Sequence, residues 1–254
     1  MSTLEPRSEG ANWNTAPKTA MVLAAGLGTR MRPLTDDRPK ALVEVAGRTL
    51  IDHTLDRRLE AGVETAVVNV HHFADLMEAH LARRRAPRIL ISDERAGLLD
   101  SGGGIAHAAP LLGEDPIFIA NIDNVWIEGA APALQTLAET WDPARMDVCI
   151  LLATRDRSTG FDRPEGFLRD REGRLTHSNC PDPLPPFNNI GFQILKPGLL
   201  SGQPRAGFSI VPIWKRLSAE GRLYGAVMEG FDMHVSDPAA RDAAEARLLS
   251  DASA

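Results

Sequence analysis

Apolar positions along the chain alternate between two periods. Ala20 to Ala25 (AMVLAA) is a short apolar run that ends in glycine. Leu50, Ile51, Leu55 and Leu59 then recur at helical spacing, with Asp56, Arg57, Arg58 and Glu60 between them and Gly62 placed as a C-terminal cap. Val63 to Val70 reads as a strand. Phe73, Leu76, Met77 and Leu81 form one helical face, and Arg88 to Ser92 a further strand. A glycine run leads into a predicted helix over Ile105–Leu112. Ile117 to Asn121 predicts a strand, Leu134 to Thr140 lies in a helix, and Val148 to Ala153 is again a strand.

This order predicts an α/β fold, a Rossmann-like and mainly parallel sheet with helices on both faces. Such sheets bind ligands beyond the carboxyl ends of their strands, so the loops there are where chemistry is expected. After Thr154 the alternation loosens. Phe167 to Thr176 predicts a hairpin turning near Glu172-Gly173, and Asn179 to Pro186 a proline-rich loop. Phe187 to Leu195 is predicted as a strand, Ile210 to Ala219 is amphipathic, and Met233 to Val235 makes a very short strand. Asp237-Pro238 opens a last helix running to Leu249. No internal repeat or linker divides residues 18–254, which read as one domain. Residues 1–17 are polar and interrupted by Pro6, Gly10 and Pro17, and are expected to be a mobile tail.

The formal charge of -6 is the wrong sign for non-specific nucleic-acid binding, which needs a basic field. Cys149 and Cys180 are too few for a disulfide framework and point to a reducing compartment. No stretch reaches the ~18 apolar residues of a membrane span, so neither membrane nor nucleic acid is expected as a partner. A cytoplasmic location follows as an expectation.

The strongest chemical signal is the run from Leu23 to Thr35, LAAGLGTRMRPLT, followed by Pro39-Lys40. A strand delivers a glycine loop whose amides can approach a phosphate closely. Arg30 brings a guanidinium that matches phosphate oxygens in pairs, and Lys40 adds a second positive charge. The spacing fits neither a Walker A loop nor the GxGxxG dinucleotide motif. The run resembles the signature of sugar-1-phosphate nucleotidylyltransferases, in which GxGTRxxP precedes a PK pair, and the likeness extends from Ala20 to about Leu249. It implies that Ala24, Ala25, Gly26, Gly28 and Thr29 hold the nucleotide while Arg30 and Lys40 act on its phosphates. Leu99 to Ile105 (LDSGGGI) is similar to the LETGGGI segment of N-acetylmuramate-1-phosphate uridylyltransferases, which adds Asp100 and Gly103 to the nucleotide site. Mannose-1-phosphate guanylyltransferases share much of this pattern.

Asn121-Ile122-Asp123 resembles the family's NxD motif, whose aspartate binds magnesium. A hard carboxylate ligand suits Mg²⁺, which also takes phosphate oxygens. The family's second metal-binding aspartate is replaced by His234, with Asp232 two residues earlier as the alternative ligand. An imidazole suits Mn²⁺ as well. For the sugar, the resemblance implies Asn121, Glu165 and Gly191, with Glu165 either standing in for a loop acid or simply solvated. His71, His72 and His80 lack a closed ligand set for zinc. Cys149 and Trp214 read as packing residues.

The implied reaction is attack of a sugar 1-phosphate on the α-phosphorus of a nucleoside triphosphate, with UTP and N-acetylmuramic acid 1-phosphate as the leading pair and cell-wall sugar recycling as the setting. Its rivals are GTP with mannose 1-phosphate, and a binding module without catalysis. Arg30 and Lys40 are expected to face the cleft, so that replacing either lowers turnover and spares folding.

Overall fold

The computed structural model describes residues 16–161, 163–203 and 206–252. Most of the expected tail lies outside these residues. Its last part, Ala16, is 5% exposed and already belongs to the core.

The first strand, β1 (Thr19–Leu23), is followed by two 3-10 turns and a two-residue hairpin, β2 (Glu44–Val45) and β3 (Arg48–Thr49). Helix α1 (Leu50–Glu60) starts at Thr49, whose hydroxyl caps the Asp52 amide. Then come β4 (Thr65–Val70), α2 (Ala74–Leu81), β5 (Arg88–Asp93), α3 (Asp100–Leu112), β6 (Ile117–Asn121), β7 (Asn124–Ile127) and α4 (Ala133–Thr140). The second half comprises β8 (Val148–Thr154), β9 (Ser158–Thr159), β10 (Glu165–Arg169), β11 (Leu175–Asn179), β12 (Phe187–Leu195), α5 (Val211–Ala219), β13 (Leu223–Val227), β14 (Phe231–His234) and α6 (Pro238–Asp251).

Among the described residues nine strands form one mixed sheet. Strands β6, β1, β4 and β5 are parallel neighbours, as are β13 and β8. Strand β12 lies antiparallel between β6 and β8 and joins the two parallel blocks. The β10–β11 hairpin attaches at the start of β12, where Phe167 faces Phe187. A smaller sheet, β7–β14–β9, stands beside the end of β6.

Burial follows the two-residue period of the strands. Cys149, Leu151 and Ala153 of β8 pack with Leu50, Ile51, Leu55, Met77 and Leu137 on one face. Val148, Ile150 and Leu152 pack with Ile105, Ala108, Trp214 and Leu217 on the other. Helices α1, α2, α4 and α6 therefore cover one face, and α3 and α5 the other. Cys149 is fully buried, as a core residue, and burial pushes its thiol up to about 12.

The expected start of α3 needs correction. The helix begins at Asp100 and takes in all three glycines, instead of starting at Ile105. Glycine is a poor helix former, by ~1 kcal/mol per residue against alanine. Here tertiary contacts override that: the amides of Gly102 and Gly103 both donate to Phe208 O, at 2.9 and 3.0 Å. A side chain on Gly103 would stand 2.7 Å from Ala206 O, and one on Gly102 would overlap the Phe208 ring.

One buried charge has no carboxylate beside it. Arg58 is fully buried on α1, with its guanidinium 4.1 Å from the Phe192 ring centroid and Nη1 3.5 Å from Thr54 O. Burial lowers its pKa to about 9.

Candidate active site

A cleft of about 460 Å³ opens at the carboxyl ends of β1 and β6. Arg30, Asn121, Asp123, Glu165, Gly191 and His234 all line it. They come from five separate segments, and the sheet brings them together.

On the nucleotide side, β1 runs into the glycine loop. Gly28 has φ 64°, the left-handed region that favours glycine. A side chain there would stand 3.0 Å from Lys40 Cβ, so this glycine lets the Pro39-Lys40 turn press against the loop. Thr35 Oγ1 donates to Gly28 O at 2.8 Å and fixes the return of the chain. Gly26, Thr29 and Arg30 are exposed around the loop. Ala24 and Ala25 are buried, and their amides donate to Asn69 Oδ1 at 2.6 and 3.2 Å instead of pointing at a ligand.

Two further residues expected in the nucleotide site, Asp100 and Gly103, lie in the first turn of α3. Asp100 is exposed at the start of α3 and accepts the Ser101 amide at 2.5 Å. Gly103 is buried beneath the chain at 206–208, and its amide is spent on Phe208 O. Neither is among the residues that line the 460 Å³ cleft, and the same holds for Ala24, Ala25, Gly26, Gly28, Thr29 and Lys40. The run of small residues serves close packing, and its neighbour Ser101 is the one that reaches the cleft wall.

Asp123 follows β6. Its Oδ2 accepts from Lys40 Nζ at 2.8 Å, with the two side chains 20% and 11% exposed. Its Oδ1 is buried and has no hydrogen-bond partner among the described residues. Burial opposes ionisation, but the charges of Lys40 and His234 outweigh it and hold the carboxyl below the usual range. Burial pushes His234 down from the ordinary imidazole value. Asp123 opposes that shift, while Lys40, Arg30 and Arg163 add to it.

Asp232 sits behind His234 on the same strand. It is 0% exposed and does not line the cleft. Both of its oxygens accept from Asn124 Nδ2, at 3.0 and 3.1 Å, and Oδ2 also accepts from Ser158 Oγ at 3.2 Å. Burial raises its pKa to about 7, against those hydrogen bonds. Asn124 Oδ1 lies 3.5 Å from His234 Nδ1, at the outer limit of a hydrogen bond.

The sugar side is built from the second half of the sheet. Strand β12 carries an irregularity between Asn189 and Gln193, and Gly191 sits in it with φ 78°. A side chain there would stand 2.9 Å from Asn121 Cβ. Glu165 is exposed at the start of β10 and reaches the cleft rim. His177, Asn189, Gln193 and Trp214 also line the cleft, and sequence reasoning did not single them out as site residues. Trp214 packs as expected, but its Nε1 also donates to Gln193 Oε1 at 3.0 Å, which fixes a polar group at the cleft. Phe161 stacks on His234, with ring centroids 4.6 Å apart.

The histidines set aside for zinc are otherwise engaged. His80 Nε2 contacts Asp52 at 2.9 Å, and His71 Nδ1 contacts Glu94 O at 2.7 Å. Among the described residues no group of three or more His, Cys, Asp or Glu side chains is set to hold a metal alone. Any ion at Asp123 and His234 would complete its shell with phosphate or water oxygens, the usual arrangement for Mg²⁺.

The family model for the MobA-like NTP transferase domain matches residues 20–204. N-acetylmuramate alpha-1-phosphate uridylyltransferase of Caulobacter vibrioides is 56% identical over 237 residues, covering 92% of this chain and 98% of its own. UTP–glucose-1-phosphate uridylyltransferase of Haloferax volcanii is 30% identical over 255 residues, covering 90% and 96%. A solved UDP-glucose pyrophosphorylase in complex with UDP-glucose shares the fold, with a TM-score of 0.77 at 15% identity over 92% of this chain and 99% of the other. Arg30 and Asp123 meet at one cleft, and the chain belongs to the MobA-like NTP transferase family and, within it, to the sugar-1-phosphate nucleotidylyltransferases.

Proposed function

We propose that this protein transfers the uridylyl group of UTP to N-acetylmuramic acid 1-phosphate and releases pyrophosphate. The observation that carries the reading is a single cleft lined by Arg30, Asp123 and His234, with Lys40 paired to Asp123, in a chain 56% identical to a protein named for that reaction.

A phosphate monoester is largely dianionic at neutral pH, because its second pKa is ~6. It needs no general base. The protein's work is to align two anions and neutralise the charge between them. Arg30 is exposed at the cleft and free to pair with phosphate oxygens. Lys40, drawn in by the close approach of Gly28, is held at Asp123 and presents its charge beside the same site.

The residues fit a divalent cation, with Mg²⁺ the first choice and Mn²⁺ accepted. Asp123 Oδ1 is a buried oxygen without a partner among the described residues, and burial shifts His234 toward the neutral form that a coordinating imidazole needs. When bound, the ion would screen phosphate charge and polarise the phosphorus. The sugar would lie between Asn121, Gly191 and the β10–β12 wall, with Glu165 at the rim. Two free thiols fit a reducing cytoplasm, and the likeness to an N-acetylmuramate alpha-1-phosphate uridylyltransferase supports a role in reusing cell-wall sugar.

The test is pyrophosphate release across UTP, GTP, CTP, ATP and dTTP with several sugar 1-phosphates. The expected result is the highest kcat/KM with UTP and N-acetylmuramic acid 1-phosphate. A preference for GTP with mannose 1-phosphate would overturn the substrate and leave the chemistry. No release with any pair would overturn catalysis.

A further inference from the structure

Two residues that the catalytic reading leaves unused lie directly beneath the glycine loop. Asn69, on β4, is 3% exposed, and Glu94, just after β5, is 2% exposed. Asn69 Oδ1 accepts the amides of Ala24 and Ala25, at 2.6 and 3.2 Å. Its Nδ2 donates to Glu94 Oε1 at 2.8 Å. Glu94 Oε2 accepts the amide of Leu99, the N-cap of α3, at 3.4 Å. A continuous chain of hydrogen bonds thus runs from the glycine loop through two buried side chains to the start of α3. The third glycine of the run makes room for it. A side chain at Gly104 would stand 2.9 Å from Glu94 Oε1 and 3.0 Å from Asn69 Nδ2.

The direction of each bond is fixed by chemistry. A carboxylate only accepts, so Asn69 must turn its amide nitrogen to Glu94 and its oxygen to the loop. In a trans peptide the N–H and C=O point opposite ways. Holding two consecutive amides inward therefore sets the orientation of both peptide planes from which Gly26 to Gly28 depart.

We propose that Asn69 and Glu94 are a positioning pair for the nucleotide, locking the glycine loop to the start of α3 before the nucleotide arrives. The proposal rests on the nucleotidyl-transfer reading of the cleft. It differs from a purely structural role in what it predicts for kinetics: the pair acts on nucleotide binding and not on the sugar or on turnover.

The polarity of the chain supplies the test. Asn69→Asp places two carboxylates face to face. Glu94→Gln leaves a donor opposed to a donor, either at Asn69 or at the Leu99 amide. The double variant restores every bond: Asp at 69 accepts from Ala24, Ala25 and the new Gln, and Gln at 94 accepts from Leu99. The net charge of the pair is unchanged.

Each single variant should raise the KM for UTP roughly tenfold or more, since a mispaired buried polar group is costly. The kcat and the KM for sugar 1-phosphate should stay within about threefold, and the double variant should return the UTP KM to within about threefold of wild type. If a single variant does not fold, the double variant and Gly104→Ala carry the test, with Gly104→Ala expected to raise the UTP KM by spreading an intact pair. The proposal is overturned if the double variant is no better than the singles. It is also overturned if both KM values and kcat move together, or if the UTP KM does not move. UTP titration calorimetry without sugar phosphate separates this from failure of the catalytic reading. A wild type that binds UTP but releases no pyrophosphate sinks catalysis, while weaker binding in the singles and recovery in the double still support the pair. A wild type that does not bind UTP overturns both.

Discussion

Lys40→Met should cost stability as well as activity, which corrects the expectation that folding would be spared. Lys40 Nζ lies 2.8 Å from Asp123 Oδ2, and the side chains are only 11% and 20% exposed. Removing the ammonium leaves both Asp123 oxygens unpaired, because Oδ1 has no hydrogen-bond partner among the described residues. Opposite charges ~4 Å apart attract by ~4 kcal/mol at an effective dielectric of ~20. Stranding one member of a buried pair costs about 3–5 kcal/mol. The residual exposure of Asp123, and its freedom to take up a proton, reduce that to ~2–3 kcal/mol. At roughly 2–4 °C per kcal/mol for a domain of this size, Tm should fall by about 4–12 °C. Thermal unfolding followed by circular dichroism at pH 7 without divalent metal reads this directly. Adding Asp123→Asn to Lys40→Met should recover most of the loss while activity stays absent. Arg30→Ala is the contrast: Arg30 is exposed, so Tm should hold while kcat/KM drops about 10²–10³-fold. A Lys40→Met Tm within about 1 °C of wild type, or a double variant less stable than the single, would refute the coupling.

Gly103→Ala should lower the urea midpoint by the equivalent of ~1–3 kcal/mol, because its Cβ would stand 2.7 Å from the backbone oxygen of Ala206; an unchanged midpoint would show that the 206–208 chain yields freely. The hydrogen bond from Arg222, opposed by partial burial and aided by Lys196, holds the Asp147 carboxyl at about 2. Its contribution is therefore complete above the ordinary carboxylate pKa of ~3.9 and is lost as pH falls through the folded value, so Asp147→Asn should flatten stability against pH between about 5 and 2. Equal slopes in urea unfolding at a series of pH values would count against the Asp147 cluster. Arg58→Met should leave stability at pH 7 unchanged or higher, since it removes a buried cation that has no carboxylate partner. A loss above ~1 kcal/mol would mean that stacking on Phe192 outweighs desolvation.

The elements that sequence patterning recovers are those whose apolar residues form one unbroken signal. Val148 to Ala153 alternates between the two faces of the sheet, and α1 keeps a single buried stripe with a glycine after its end. Strand β13 was missed because Gly225 interrupts it. That gap is imposed by distant packing: a side chain there would meet Leu152 at 2.7 Å and Leu175 at 2.8 Å. Strand β7 carries no periodic signal of its own, because its four residues directly follow Asp123 and are too few to show an alternation. The antiparallel course of β12 was also invisible, since register against β6 and β8 is a long-range property.

The same distinction divides the candidate site. Its nucleotide half consists of backbone geometry and a few cations in one contiguous stretch, so the run from Leu23 to Lys40 carries its own signal. Its sugar half is assembled from side chains on β10, β11, β12 and α5, and no spacing joins His177, Asn189 and Trp214. The halves meet at Gly191. Its left-handed backbone sits in the irregularity of β12 against β8, and its missing side chain lets the strand approach within contact of Asn121, two residues before Asp123. A larger residue there would press on Asn121 and, through it, on the segment that carries Asp123. The packing of the two walls of the cleft thus depends on one irregularity in a strand. This is why the class of chemistry can be read from short segments, while the sugar has to be read from the assembled fold.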